Sequence, residues 1–171
     1  VAIHDSKIIR VGSKKELLEI YPSANLISQY EDAIIVPGFI EHHIHPFLAA
    51  VTMNSEIIAI DDWQLPSKTS KGVQDRANYL MRLKTAEIQA PENQPLISWG
   101  FHHYFHGQLS KNDLDKISPI RPIIVIHRSF HEFILNTPAM ELLGINEDAF
   151  PDIVEESHLA NFDEGHFSER G

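Results

Sequence analysis

Hydrophobic positions in this chain switch repeatedly between the spacing of a strand and the spacing of a helix. From Val1 to Val11, β-branched residues predict two short strands around a bend at His4-Asp5-Ser6-Lys7. Gly12 ends the run. Ser13 followed by Glu16 is a capping-box pattern, which predicts a short helix through Leu17, Leu18 and Ile20, closed by Pro22. Leu26-Ile27 and Ala33 to Val36 predict further short strands. The turn at Pro37-Gly38 leads into an apolar strand at Phe39-Ile40 that ends in histidines. Phe47 to Met53 predicts a helix, and Ile57 to Ile60 a strand or an extended loop. Pro66 to Gly72 is polar and predicts a loop. Val73, Ala77, Leu80, Met81 and Ile88 recur at helical spacing and predict a helix over 73–90, ended by Pro91.

The second half is clearer. Pro95 to Gly100 predicts a buried strand. Ser110 and Asp113 repeat the capping pattern and open a helix through Leu114 and Ile117, stopped by Pro119. Pro122 to His127 is a continuous apolar run, as expected of a strand buried on both faces. Thr137 as N-cap, Pro138 at the first helical position and Gly144 after the end bracket one more helix. Strands alternating with helices imply a parallel α/β architecture.

Composition narrows the function. Hydrophobic residues make up 43% of the chain, enough for a globular core, and the length suits one domain. The net charge of −10 is spread along the chain, which argues against nucleic acid or an anionic membrane as partner. There is no cysteine, so thiolate metal sites and disulfides are excluded, and a reducing, cytoplasmic setting is expected. No apolar stretch approaches the ~20 residues of a membrane span. Nucleotide-binding glycine loops and a Gly-x-Ser-x-Gly elbow are absent. The pairs Asp61-Asp62 and Glu155-Glu156 read as solvated.

The chemistry concentrates in histidines. His43 and His45 would share one face of a strand, where two imidazoles can chelate one divalent ion. With eleven histidines in the chain, this tripeptide alone reads equally well as two partly exposed side chains. Glu41 has the same parity as the pair. A second predicted strand runs into His102, His103 and His106, and a third ends at His127 and continues to His131-Glu132. In parallel α/β folds the C-terminal strand ends gather at one mouth. The recurrence therefore favours a site over incidental histidines. His158 and His166 lie in an acidic tail and are set apart from this group.

The run PGFIEHHIH at residues 37–45 resembles the amidohydrolase superfamily, whose first barrel strand commonly reads Pro-Gly, two hydrophobic residues, then Asp-x-His-x-His. Glu41 stands where Asp is usual. The opening AIHDSKIIRVG resembles the small β-domain that precedes the barrel, with Ser6 in place of the turn glycine. Trp99, Leu114-Asp115, Ser118-Pro119, Arg121-Pro122, His131, Asn136, Ala139 and Gly144-Ile145 resemble the amidohydrolase-3 branch, which includes N-substituted formamide deformylase. Phe130 and Thr137 depart from its Gly and Ser.

The resemblance implies a partial (β/α)8 TIM-like barrel, an α/β fold of first strands and helices over residues 37–171, preceded by part of a small β-domain over residues 1–36. It implies hydrolysis of carbon–nitrogen bonds by metal-activated water on a small-molecule substrate. His43 and His45 become metal ligands, for one or two zinc ions, with iron, nickel and manganese open. Glu41, Trp99, His102, His103, His127 and His131 become substrate-pocket or supporting residues. A complete barrel takes roughly 250 residues. The expectation is therefore an N-terminal portion, inactive alone, that self-associates or needs the rest of its own protein. The rivals are a histidine-rich metal-binding module without catalysis, and a structural fragment.

Overall fold

Six strands of one mixed sheet bring His102, His103, His127 and His166 together. The computed structural model describes residues 1–149 and 159–169. The chain falls into two units, Val1–Ile44 and His45–Gly171. The expected domain boundary lies at 36/37.

In the first unit, β1 (Ala2–His4) and β2 (Lys7–Arg10) form an antiparallel hairpin. Asp5 and Ser6 both have positive φ, +47° and +60°, as a type I′ turn requires. α1 (Lys14–Ile20) follows, with the Ser13 hydroxyl accepting from the Glu16 backbone N–H at 3.2 Å. The strands expected at 26–27, 33–36 and 39–43 do not form. A strand needs a neighbour for its backbone groups, and apolar alternation in the sequence cannot supply one.

The second unit opens with α2 (Pro46–Asn54), then β3 (Glu56–Ile57). The expected polar loop at 66–72 is mostly the far end of a hairpin, β4 (Trp63–Gln64) with β5 (Thr69–Ser70). α3 (Arg76–Gln89) starts three residues later than its apolar spacing suggests, because Asp75 is the cap and accepts from Asn78 N–H at 2.9 Å. Then come β6 (Leu96–Phe101), α4 (His103–His106), α5 (Lys111–Ile117), β7 (Ile123–His127), β8 (Glu132–Leu135) and α6 (Thr137–Leu143). β9 (Ala160–Asn161) and β10 (His166–Ser168) close the described chain.

The sheet order is β3-β6-β7-β8-β10-β9. β3, β6 and β7 are parallel neighbours, as the strand–helix alternation predicts for β6 and β7. β8, β10 and β9 are antiparallel. The fold is therefore mixed α/β with a mixed sheet, not the purely parallel succession expected.

Each face of the sheet carries an apolar cluster. Leu96, Phe101, Ile123, Val125 and Ile134 join Tyr79, Leu83 and Leu114, from α3 and α5, in one cluster. Trp99 and Ile126 join Ile57 and Ala59 in another. The register of β6 slips between Trp99 and Phe101, and Gly100 at that bulge has φ +113°. A Cβ there would lie 2.8 Å from Ala59 Cβ, so only glycine fits. The bulge turns Phe101 onto the face of Leu96, and the chain leaves the sheet toward the histidines from there.

One buried side chain ties these pieces together. Asn136 is 0% exposed. Its Oδ1 accepts from Ile123 N–H at 2.8 Å and Ala139 N–H at 3.0 Å. Its Nδ2 donates to Ser118 carbonyl at 3.0 Å and Arg121 carbonyl at 2.8 Å. Asn136, not Thr137, is thus the N-cap of α6, and Thr137 is its first residue. Its four bonds use all of an amide's capacity. Asn136→Ala would strand several buried backbone groups, so we expect a loss of about 3 kcal/mol or more. Urea unfolding of the variant beside the parent checks this, and a loss within ~0.5 kcal/mol, the range of a surface change, would refute the clamp.

Candidate functional site

The histidines gather at the C-terminal ends of β6 and β7, where parallel α/β folds place their sites. Strand register explains who joins them. Side chains directly opposite on paired strands share a face. His166 lies opposite Ile134, and Ile134 opposite Val125. Two residues along from these lie Glu132 on β8 and His127 on β7. His127, Glu132 and His166 therefore project from one face, beside His103 at the start of α4.

Glu132 Oε2 is the hub. It lies 2.7 Å from His103 Nε2 and 2.9 Å from His166 Nε2. The ligand atoms of His103, Glu132 and His166 all fall within 4.8 Å of one another, and this is the metal-competent group found among the described residues. Burial alone would push the Glu132 carboxyl up; the bonds to His103 and His166 outweigh it and hold the group below its ordinary value. The ring of His127 stacks on His103, centroids 5.3 Å apart. His127 Nδ1 contacts Ser129 Oγ at 2.7 Å and accepts from Ser129 N–H at 3.2 Å. Burial pushes its pKa down.

The remaining candidates divide. His102 caps α4, its Nδ1 accepting from Tyr104 N–H at 3.2 Å, and its ring lies 5.3 Å from that of His127. His131 sits just beyond this group, exposed, with its Nδ1 against the Glu169 carboxylate. Trp99 is buried in the other cluster, between Trp63 at 4.8 Å and Phe130 at 5.6 Å, and is not brought to the histidines. Glu41 accepts from His43 N–H at 2.9 Å in a segment without strand. The His45 carbonyl accepts from Ala49 N–H at 2.9 Å as α2 begins. His43 and His45 lie in no strand, so strand alternation does not put them on a shared face.

The sequence alone names Glu132 only beside His131 and His166 only in the acidic tail, and does not bring the two together. Glu132 needs β8, a strand too short for its apolar pattern to announce. His166 is placed by the hairpin of β9 and β10. Asp163-Glu164-Gly165 is the signal that could have revealed that hairpin, since an acidic pair followed by glycine marks a turn. Gly165 has φ +64°, and a Cβ there would come within 2.3 Å of the Leu135 carbonyl oxygen. Its own carbonyl accepts from Leu135 N–H at 2.8 Å. That close approach seats His166 over Glu132.

His106 shows the opposite use of an imidazole. It is 0% exposed. Its Nε2 donates to Val73 carbonyl at 2.8 Å and its Nδ1 accepts from His102 N–H at 3.1 Å. That pattern requires the neutral ring, and burial holds its pKa below the ordinary 6.5.

Comparisons with known proteins bear on family and fold. The profile of the Amidohydrolase family matches residues 31–165. The chain is 30% identical over 153 residues to YtcJ of Bacillus subtilis (strain 168), named as an amidohydrolase, covering 86% of this chain and 26% of that protein. It is 24% identical to the protein LONG AFTER FAR-RED 3 of Arabidopsis thaliana, covering 85% of this chain and 23% of that one. It is also 24% identical to the exoenzymes regulatory protein AepA of Pectobacterium carotovorum, covering 92% and 33%. The chain thus spans about a quarter to a third of these relatives' length. Crystal structures of uncharacterized metal-dependent hydrolases from Pyrococcus furiosus and Pyrococcus horikoshii share its fold at 16% identity, with TM-scores of 0.52 and 0.53, covering 98% of this chain and 30% and 29% of theirs. No helix among the described residues is long and apolar enough to cross a membrane.

Neutral buried histidine gives a pH dependence with a definite sign. In the unfolded chain His106 takes up a proton near pH 6.5, its ordinary value; in the folded chain it does so only at lower pH. Stability should therefore fall as pH drops through that value. His127 is shifted the same way and adds to the slope. We expect His106→Gln to lose less stability than the parent between about pH 7.5 and about pH 5.5. Urea unfolding at both pH values measures this, and equal slopes would count against a neutral His106.

Proposed function

The chain belongs to the amidohydrolase family, and from that membership we infer that it is part of a metal-dependent hydrolase acting on carbon–nitrogen bonds of a small-molecule substrate. The observation that carries this is the match over residues 31–165, which takes in both His43-Ile44-His45 and the long pattern from Trp99 to Ile145.

Imidazole donors without thiolate suit zinc. His43 and His45 are assigned as two of its ligands, with Glu41 ordering the loop through its bond to the His43 N–H. A divalent metal, when bound, lowers the pKa of water and polarises a carbonyl, which makes amide hydrolysis workable near neutral pH. His102, His103, His127 and His131 are assigned to the pocket that faces the substrate. The grouping at strand ends supports that role, as does the partial exposure of the His103 and His131 side chains, 29% and 63%. We read the parallel strands β3, β6 and β7 as successive strands of a (β/α)8 barrel, with β8, β10 and β9 as an antiparallel excursion after the last of them.

Two imidazoles are fewer than the three protein ligands of most catalytic zinc sites. The 171-residue chain by itself is therefore expected to be inactive. The His103–Glu132–His166 group also keeps a second reading in view, a metal-binding module without catalysis. The test is amine release from a panel of N-substituted amides, run on the 171-residue chain and on the longest natural polypeptide carrying it. We expect turnover only from the longer protein, and a loss of at least a hundredfold with His43→Ala/His45→Ala, as on the order of removing a ligand or its support. Turnover untouched by that double substitution would overturn the ligand assignment. Metal binding with no turnover in the longer protein would favour the second reading.

A further inference from the structure

The hub at Glu132 has the composition and access of a metal site in its own right. Two imidazoles and one carboxylate come from three different elements: the first residue of α4, the first of β8 and the first of β10. None of them is His43 or His45. Glu132 Oε2 is shared by His103 Nε2 and His166 Nε2, so both rings are aimed at one point. The other nitrogen of His103, Nδ1, is buried without a partner among the described residues. The His103 ring meets the Phe101 ring edge-on, centroids 5.0 Å apart, and stacks on the His127 ring. Nε2 is thus the only nitrogen that His103 can offer a ligand.

Access separates this cluster from an ordinary buried polar network. The three side chains are 29%, 26% and 33% exposed. His103 and His166 line a cavity of about 620 Å³, shared with Arg76, Asp113, Asn161 and Glu164. That volume falls in the range of small-molecule sites. It leaves room for water or a small anion to complete a coordination shell, as an open metal site needs.

Geometry asks for only a small rearrangement. Ligands about 2.0–2.1 Å from a tetrahedral ion stand roughly 3.3–3.4 Å apart. The present contacts of 2.7 and 2.9 Å would open by about half an ångström, and the two imidazole nitrogens, within 4.8 Å of each other, would settle to the same spacing, all within the reach of side-chain torsions. The backbone is already held. Lys111 N–H donates to Glu164 carbonyl at 2.7 Å, Lys111 Nζ to Phe162 carbonyl at 3.0 Å, and Leu135 N–H to Gly165 carbonyl at 2.8 Å, so the turn that carries His166 is fastened at both sides.

We propose that His103, Glu132 and His166 bind a divalent transition-metal ion of the zinc class, with its open positions facing the cavity beside Arg76 and Asn161. On binding, each imidazole presents its Nε2 lone pair and carries its proton on Nδ1, and Glu132 binds as the carboxylate. The site stands whether or not His43 and His45 ligate a metal.

The test is titration of the 171-residue chain with Co²⁺, read by visible absorbance, and with Zn²⁺, read by calorimetry. The background is His43→Ala/His45→Ala, which removes the other donor pair. We expect one equivalent of either ion to bind in that background. Adding His166→Asn or Glu132→Gln should weaken binding at least tenfold, the lower end for loss of a ligand or its close support. Urea unfolding with and without Zn²⁺ guards against misfolded variants. Zn²⁺ should raise the midpoint of the double-alanine protein and leave that of the His166→Asn form unchanged, while both unfold cooperatively. If the double-alanine protein binds no metal, or if His166→Asn and Glu132→Gln bind as it does, the proposal is wrong. Neither result bears on hydrolysis by the longer protein, so the two ideas fail separately.

Discussion

Four backbone groups that meet at one buried side chain set the terms for this mixed sheet. The loop from Ser118 to Pro122 leads into β7, and its carbonyls at Ser118 and Arg121 turn toward Asn136. The first N–H of β7 and an N–H in the first turn of α6 face the same space. Left open, each would cost about 1–3 kcal/mol. Asn136 closes all four. A carboxylate there would offer no donor to the two carbonyls, and an apolar residue would offer nothing. The rest of the long motif works to the same end. Arg121 donates to the carbonyls of Pro91 and Gln94, both at 2.7 Å, and so fastens the end of α3 to the entry of β7. Asp115 accepts from Thr137 N–H at 2.9 Å and Thr137 Oγ1 at 2.8 Å, and so ties α5 to α6.

That scaffold decides where the histidines end up. With β7 fixed at its start, its last residue, His127, emerges beside the bulge at Gly100 that releases His102 and His103 from β6. The antiparallel strands then fold Glu132 and His166 back over the same strand ends. Burial sorts the imidazoles into different jobs. His106, fully enclosed and bonded at both nitrogens, is a structural pin. His127, almost enclosed, is neutral and stacked. His103 and His166, a third exposed or less and bonded at Nε2 to a carboxylate, keep their reactive nitrogens at a cavity wall.

What the sequence disclosed follows a physical rule. Elements stabilised by local signals were legible: the N-cap at Ser13, the capping box at Ser110, the helix stop at Gly144, and the unbroken apolar run of β7. Elements stabilised by partners far along the chain were not. Phe39-Ile40 looks like a strand by pattern, yet forms none, because pattern says nothing of who pairs with it. β8 and β10 look like loop by pattern, yet pair through Ile134 and His166. The site suffered the same asymmetry. His127 was visible because it ends a long strand, and His103 because it follows one closely. Glu132 and His166 were hidden because their shared face exists only once β8 and β10 are in register. By sequence His166 reads as part of the acidic tail; the pairing of β10 with β8 places it on Glu132 instead.

A consequence follows for reading chemistry from kinship. The residues that most specifically mark the family here, from Leu114-Asp115 through Arg121-Pro122 to Asn136 and Gly144, touch backbone and one another, not the cavity. They certify how the chain folds. Chemistry depends on donors, and a fold hosts donors without dictating them. Glu132 and His166 illustrate this: they stand on the scaffold but outside its motif. Their convergence is held by the glycine at 165, whose left-handed backbone and missing Cβ let the last hairpin approach β8. A single added methyl there would push against the Leu135 carbonyl and lift His166 from Glu132, leaving the family scaffold intact and the donor group broken.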